Sequence, residues 1–327
     1  MVDALLIGST KSATSTLYHV FKGHKGVALP RGDETIAKEP HYFSQGLFGP
    51  NYNGLSREIK KSSEYNSLWR EAPLSALRCD FDPHTMHGPQ AIELLFEANP
   101  QAKVFAILRN LIERAYSHYL MDVRECVETR PFLEAVREEH KEYIAGSVEF
   151  CRFIRLGFYT RALERFQQVF GRERMRVWLY EEFTHRPTAV VDEMCDYLCI
   201  DRMELPDVAI PRENEAGVPR SRLSAALLRA RWGILRRPRQ LYLLLPLRLR
   251  RYIRNTFLIK KTVVSPMPAE AWDFLANVYR EDIQRLQGLL GLDLSHWFRN
   301  RTAPRAFPTD LQKSKPARPA IRQEVVG

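Results

Sequence analysis

Leu5-Leu6-Ile7 is a short apolar run, and Gly8-Ser9-Thr10-Lys11-Ser12-Ala13-Thr14-Ser15-Thr16 follows it without a spacer. Leu17, Tyr18, Val20 and Phe21 then recur in a helical pattern. This junction constrains the fold more than any other stretch. It predicts a buried strand, a tight turn and a helix whose first turn is crowded with hydroxyls. A helix N-terminus carries unpaired N–H groups and a partial positive charge. One lysine and several hydroxyls added to it make a seat for a phosphate or sulfate. The alternative is a strand followed by an ordinary Ser/Thr-capped helix.

Later segments repeat the strand–helix theme. Lys103-Val104-Phe105-Ala106-Ile107-Leu108 reads as a buried strand ending in Arg109-Asn110, and the helix that follows carries Ser117. An arginine at the carboxyl end of such a strand faces the crevice where open α/β sheets bind ligands. Ser117 is placed to reach the same anion. The alternative is an ordinary salt bridge at the helix start. Residues 26–30 and 175–180 are further strand candidates, and helices are expected over 88–100, 130–142, 161–170, 188–198 and 268–297. The alternation predicts an α/β fold with a central parallel sheet flanked by helices.

Lys38-Glu39-Pro40-His41-Tyr42-Phe43 sets a carboxylate and an imidazole beside two aromatics. Such a group suits general acid–base work; a solvated Lys–Glu pair with two anchoring rings is the alternative. Residues 44–78 are polar and irregular, an excursion whose Tyr52, Tyr65 and Trp69 either stack on a ligand or pin the loop.

With 45% hydrophobic residues over 327 positions, one domain over 1–300 can bury a sizeable core. No apolar run reaches membrane-spanning length. Asp3 and the use of the first apolar run as a strand argue against a secretory signal, so a cytoplasmic protein is expected. Five cysteines without a CxxC argue for reduced thiols and no metal site. Cys195 and Cys199, four apart, are expected to share a core face. The net charge of +10 is concentrated: Val218 to Lys261 holds thirteen Lys/Arg and no Asp/Glu. Residues 218–262 are therefore read as a basic helical insertion, and 301–327 as a disordered basic tail. The insertion is solvated, or a lid over an anion, or a surface on anionic lipid. The rest of the chain is net acidic, so no nucleic-acid partner is expected.

The opening loop, the 103–109 strand with Arg114-Ala115-Tyr116-Ser117-His118-Tyr119, and the 38–43 cluster together resemble the sulfotransferases that use 3′-phosphoadenosine 5′-phosphosulfate (PAPS), in their bacterial and heparan-type branch. Gly157-Phe158-Tyr159, Trp178-Leu179-Tyr180-Glu181-Glu182-Phe183 and the helix from Tyr279 to Trp297 also match that branch. The resemblance spans about residues 3–298 and implies a P-loop-like parallel sheet, PAPS as co-substrate and no metal. It implies that Lys11, Ser12, Ala13, Thr14, Ser15 and Thr16 hold the 5′-phosphosulfate, and that Arg109 and Ser117 hold the 3′-phosphate. It further implies Glu39 as general base, His41 as its orienter or alternate, Lys38 at the sulfate or acceptor, and Tyr159 placing the nucleotide or its loop. A kinase is disfavoured, because Thr10 stands where a Walker A loop has glycine before its lysine.

Three departures qualify the resemblance. Ala13 replaces a loop glycine and Leu111 a proline. Phe81-Asp82-Pro83-His84-Thr85 stands where glycan-sulfating relatives carry Lys-(Ser/Thr)-Pro-x-Tyr. The last puts a polyanionic glycan in doubt and leaves a sugar, lipid-linked or small-metabolite hydroxyl as acceptor. The competing expectation is a membrane-surface or nucleotide-binding protein on a degenerate fold of this kind.

Overall fold

The computed structural model describes residues 2–32, 34–47, 58–146, 152–204, 217–221, 254–261 and 265–299, with isolated positions between 224 and 252. β1 (Ala4–Gly8) is buried at all five positions, the pattern of a strand covered on both faces. It pairs in parallel with β3 (Leu77–Asp80) on one side and β4 (Lys103–Leu108) on the other. β2 (Val27–Ala28) and β5 (Met175–Leu179) complete a five-stranded, all-parallel sheet in the order β2-β3-β1-β4-β5.

Alternate strand residues face opposite layers. Leu5, Ile7, Val104 and Ala106 pack toward α5 (Leu111–Arg124), α7 (Thr160–Phe170) and α10 (Ala269–Leu290). Ala4, Leu6, Phe105 and Ile107 pack on α1 (Thr14–Lys22) and α9 (Pro187–Leu198) through Leu17, Phe21, Val190 and Met194. The expected P-loop-like sheet flanked by helices is what the chain forms. α2 (Glu34–Lys38) and α3 (Ser62–Ser67) lie between β2 and β3, and α4 (Ala91–Ala98) precedes β4. α6 (Phe132–Ile144) and α8 (Tyr180–His185) follow α5 and β5 respectively.

Several elements differ from the sequence expectation. β3 lies at the end of the stretch read as an irregular excursion. Its Arg78 pairs with Asp3 and its Asp80 with Tyr65, so polar residues occupy a central strand with partners supplied from elsewhere. Tyr65 and Trp69 are buried and pin the loop, while Tyr52 lies outside the described residues. α6 is amphipathic, with Phe132, Ala135 and Val136 entering the core and Glu134, Arg137 and Glu138 exposed. α10 stops at Leu290, where Gly291 takes φ 65° and allows the chain to turn. Cys195 is buried but Cys199, just past the end of α9, is exposed, so the two share no core face. β6 (Gly217–Pro219) and β7 (Ile259–Lys261) form an antiparallel ribbon that joins the two ends of the basic insertion. The remainder of 218–262 lies mostly, and 301–327 wholly, outside the described residues. Among the described residues no helix is long and apolar enough to cross a membrane.

The turn after β1 is strained. Lys11 and Ala13 take φ 69° and 64°, a region that costs a residue with a Cβ about 1–2 kcal/mol. Burial of Leu17 and Phe21 under α1, worth about 1.5–3 kcal/mol each, outweighs that cost. Ala13→Gly is expected to stabilise the protein by up to about 1 kcal/mol, read as a raised urea midpoint; a lowered midpoint would count against the left-handed turn.

Asp80 is the other stressed position. The Tyr65 hydroxyl donates to its Oδ2 at 2.8 Å, while Oδ1 is buried without a partner. Burial, then the charge of Asp82, pushes its pKa up to about 8. Between about pH 4 and that value the native carboxyl keeps a proton that the unfolded chain has released, so its contribution to stability falls as pH rises. Asp80→Asn removes this loss. In paired thermal melts its advantage over the parent chain should grow from pH 5 to pH 8, and a pH-independent difference would contradict the assignment.

Candidate active site

The loops that leave β1, β3 and β4 meet at the carboxyl edge of the sheet, where the strand order reverses and ligands of open α/β folds bind. The turn after β1 is held from beneath. Ser12 Oγ lies 2.6 Å from Ser9 Oγ, which lies 3.0 Å from the Tyr159 hydroxyl, and that hydroxyl donates to the Arg109 carbonyl at 3.2 Å. Ser12 and Tyr159 are fully buried, so both brace the loop. Ala13 is the N-cap of α1 and offers no side-chain cap, and the first turn of α1 holds no acid. The backbone N–H groups of Thr14, Ser15 and Thr16 therefore face no carboxylate of their own helix. The ordinary Ser/Thr-capped helix is not what forms.

Cations gather at this turn, among them Arg114, whose Nη1 donates to Thr10 Oγ1 at 3.5 Å. The Lys11 ammonium donates to the Met121 thioether at 3.4 Å, a weak acceptor that an anion would displace. Burial, then Arg124 and Arg109, lower its pKa to about 7. Arg109 donates to the Lys11 carbonyl at 3.3 Å, pairs with Glu113 at 3.4 Å and stacks on the Tyr180 ring at 4.7 Å. Its Nε is buried without a partner. Ser117 falls one turn beyond Glu113 and one turn before Met121, on the face of α5 that meets Lys11. Arg109 thus lies against the loop, and it also keeps the helix-start salt bridge offered as its alternative.

The second half of the site lies across α1. Lys38 Nζ donates to Ser15 Oγ at 2.6 Å and pairs with Glu39 Oε1 at 3.2 Å, so one ammonium joins the N-terminal turn of α1 to the carboxylate. The His41 ring is almost wholly buried. Ser44 Oγ donates to Asp82 Oδ2 at 2.6 Å and so accepts from His41 Nδ1 at 3.1 Å. That assigns the proton to Nδ1 and turns Nε2 toward Glu39 Oε2, 3.9 Å away. His84 completes the group, with Nδ1 3.9 Å from Glu39 Oε2 and 3.5 Å from Asp82 Oδ1.

The electrostatics follow from this packing. Burial opposes ionisation of Glu39, but Lys38, His84 and His41 more than offset it and hold its pKa below the usual value. Burial likewise opposes the charge on Asp82, and His41 and His84 overcome it and hold that carboxyl well below its usual range. Burial disfavours the charged form of His41, yet Asp82, through charge and hydrogen bond, then Glu39, raise its pKa. Asp82 and His84 were not singled out from the sequence as site residues. The signal was the position of Asp82-Pro83-His84 just after a strand, and that strand was not recognised.

No family model matches the chain, and no curated protein matches it. Solved structures do. A sulfotransferase from Alicyclobacillus acidocaldarius aligns over 91% of this chain and 99% of its own, with a TM-score of 0.66 and 23% identity. The sulfotransferase domain of the Synechococcus PCC 7002 olefin synthase aligns over 90% and 96%, at TM-score 0.43 and 18% identity. Mouse sulfotransferase SULT7A1, complexed with PAP, aligns over 62% and 60%, at TM-score 0.37 and 18% identity. At this TM-score and coverage the likeness to the Alicyclobacillus enzyme shows that the chain has the sulfotransferase fold.

Proposed function

We propose that this protein is a sulfotransferase that moves the sulfuryl group of PAPS to an acceptor hydroxyl. The observation that carries the reading is the Ser15–Lys38–Glu39 bridge, which sets an anion seat and a carboxylate base on either side of one ammonium. A protein that only bound a nucleotide would need the first and not the second.

The residues fit the donor. The buried, unpartnered Nε of Arg109 and the uncapped N-terminus of α1 are groups that a phosphate would satisfy. Lys11 and the N–H groups of residues 14–16 would hold the 5′-phosphosulfate, and Arg109 with Ser117 the 3′-phosphate. When bound, PAPS supplies a sulfuryl group on a phosphate leaving group. Lys11 and the loop N–H groups would neutralise the negative charge that grows on the leaving phosphate. Glu39 takes the acceptor's proton on a carboxylate oxygen as the new O–S bond forms and the bond to phosphate breaks. His41, fixed by Ser44 and Asp82, orients Glu39, and Lys38 holds the base in register with the donor. Among the described residues, Glu39 is surrounded by Lys38, His41 and His84, a setting that suits proton removal from an acceptor hydroxyl. Sugars, lipid-linked molecules and small metabolites all supply such a hydroxyl.

Calorimetry with 3′-phosphoadenosine 5′-phosphate and with ADP tests the donor site. The 3′-phosphate compound should bind about 10–100-fold tighter, as charge-assisted hydrogen bonds to one phosphate imply, and Arg109→Ala should erase the difference. Equal affinities in the parent chain would remove the role of Arg109. At pH 8, where the Lys11 amine of the free protein is largely neutral, the bound anion restores its charge, so binding should take up a proton and weaken as pH rises.

Turnover tests the chemistry. Labelled sulfate from PAPS is followed into an extract of the source cells, and the product is identified by mass spectrometry. Glu39→Gln should lower the rate about 10²–10⁴-fold and leave nucleotide affinity within a few-fold. Lys11→Ala should lower both. An undiminished rate in Glu39→Gln would transfer the base role to His41.

A further inference from the structure

Glu39, His41 and His84 each present a ligand atom, and the three atoms lie within 4.8 Å of one another. The closest pairs, Glu39 Oε2 to His41 Nε2 and to His84 Nδ1, are both 3.9 Å apart. Ligands around a four-coordinate zinc ion sit at about 2.0–2.2 Å from the metal, hence about 3.3 Å from each other. The two close pairs therefore need to close by about half an ångström. Glu39 and His84, with side chains 22% and 17% exposed, have room to turn, while His41 is fixed.

The fixing of His41 is the second observation. Its Nδ1 is directed at Ser44 Oγ, 3.1 Å away, with Asp82 Oδ1 at 3.4 Å, so Nε2 is the ring nitrogen on the side of Glu39 Oε2. A carboxylate behind a histidine in this way orients the ring and raises its basicity as a metal ligand. Lys38, the nearest competing cation, holds the other carboxylate oxygen, Oε1, and keeps its second anchor on Ser15.

We propose that Glu39, His41 and His84 form a binding site for one divalent zinc-class ion, with a fourth position open to water. Two imidazoles and a carboxylate select zinc, cobalt or nickel over magnesium and calcium. The sequence hides the site, because residues 39 and 41 leave α2 while residue 84 follows β3, and no metal-binding spacing links them. The functional consequence rests on the sulfotransferase reading: a metal that occupies the Glu39 lone pairs stops it from accepting the acceptor's proton. The ion would act as a reversible inhibitor, and transfer itself would proceed without it.

The test is metal binding by the full chain after chelator treatment. Cobalt is titrated with visible absorption as the readout, and zinc by competition with a chromophoric chelator. One ion per chain is expected. His84→Ala and Glu39→Gln should each weaken it at least about tenfold, and Asp82→Asn should do so through His41. His84→Ala alters a partly exposed side chain, so it keeps the test valid even if the Asp82 variant fails to fold. Absence of stoichiometric binding, or binding undiminished in both His84→Ala and Glu39→Gln, overturns the site. Equimolar zinc should abolish sulfuryl transfer and a chelator restore it; full turnover with zinc bound overturns the inhibition. Zinc binding without any transfer activity would leave the site standing and remove the sulfotransferase reading, and transfer without zinc binding would do the reverse.

Discussion

Parallel pairing of β1 with both β3 and β4 is the constraint on which the site depends. Parallel neighbours run the same way, so their carboxyl ends meet at one edge and each return must cross a helical layer. The loop after β1 delivers Lys11, the loop after β3 delivers Asp82 and His84, and the end of β4 delivers Arg109. Residues separated by a hundred positions thus meet through backbone pairing alone. α1 adds the remaining part, because its start is fixed by the β1 turn and its Ser15 is where Lys38 lands.

The site is assembled from two charge systems of opposite character. Lys11, Arg109 and Arg124 crowd each other beside the turn, and burial together with that crowding drives Lys11 toward neutrality. Such a cluster gains from an arriving anion what it lacks in the free protein. Across α1 the balance is internal: two carboxylates, Glu39 and Asp82, are held ionised by Lys38, His41 and His84. Lys38 belongs to both systems. The strained turn fits this arrangement, because the left-handed conformation at Lys11 and Ala13 carries a cost that the buried face of α1 offsets.

How much of this was legible in the sequence depended on where the partners came from. The β1 turn and Arg109 were readable because strand, loop and cation are contiguous, so apolar runs announced where the charged residues sit. β3 was not readable. Arg78 and Asp80 break its apolar pattern and Asp82 follows it, and their partners come from other segments: Asp3, Tyr65, and Ser44 with His41. With the strand unread, His84 looked like a missing glycan motif and not like a residue at the edge of a site. Tyr65 and Trp69 stayed undecided for the same reason, since aromatics in a polar stretch are pinned or exposed according to a sheet that the stretch itself does not reveal.

The environment of Glu39 has a cost for its chemistry. Lys38, His41 and His84 keep it ionised and ready, but the same charges make it a weak base. A weak base takes a proton late, after bond formation to sulfur has made the acceptor hydroxyl acidic. In the proposed reaction, proton removal would then follow the development of charge at the leaving phosphate, where Lys11 and the helix N-terminus would act. The two halves of the site would be coupled in time as well as through Lys38. An ionised carboxylate with an imidazole ring fixed beside it is also the arrangement in which a transition metal, displacing a proton, finds its ligands. The chemistry that makes Glu39 a ready base makes it a ready ligand.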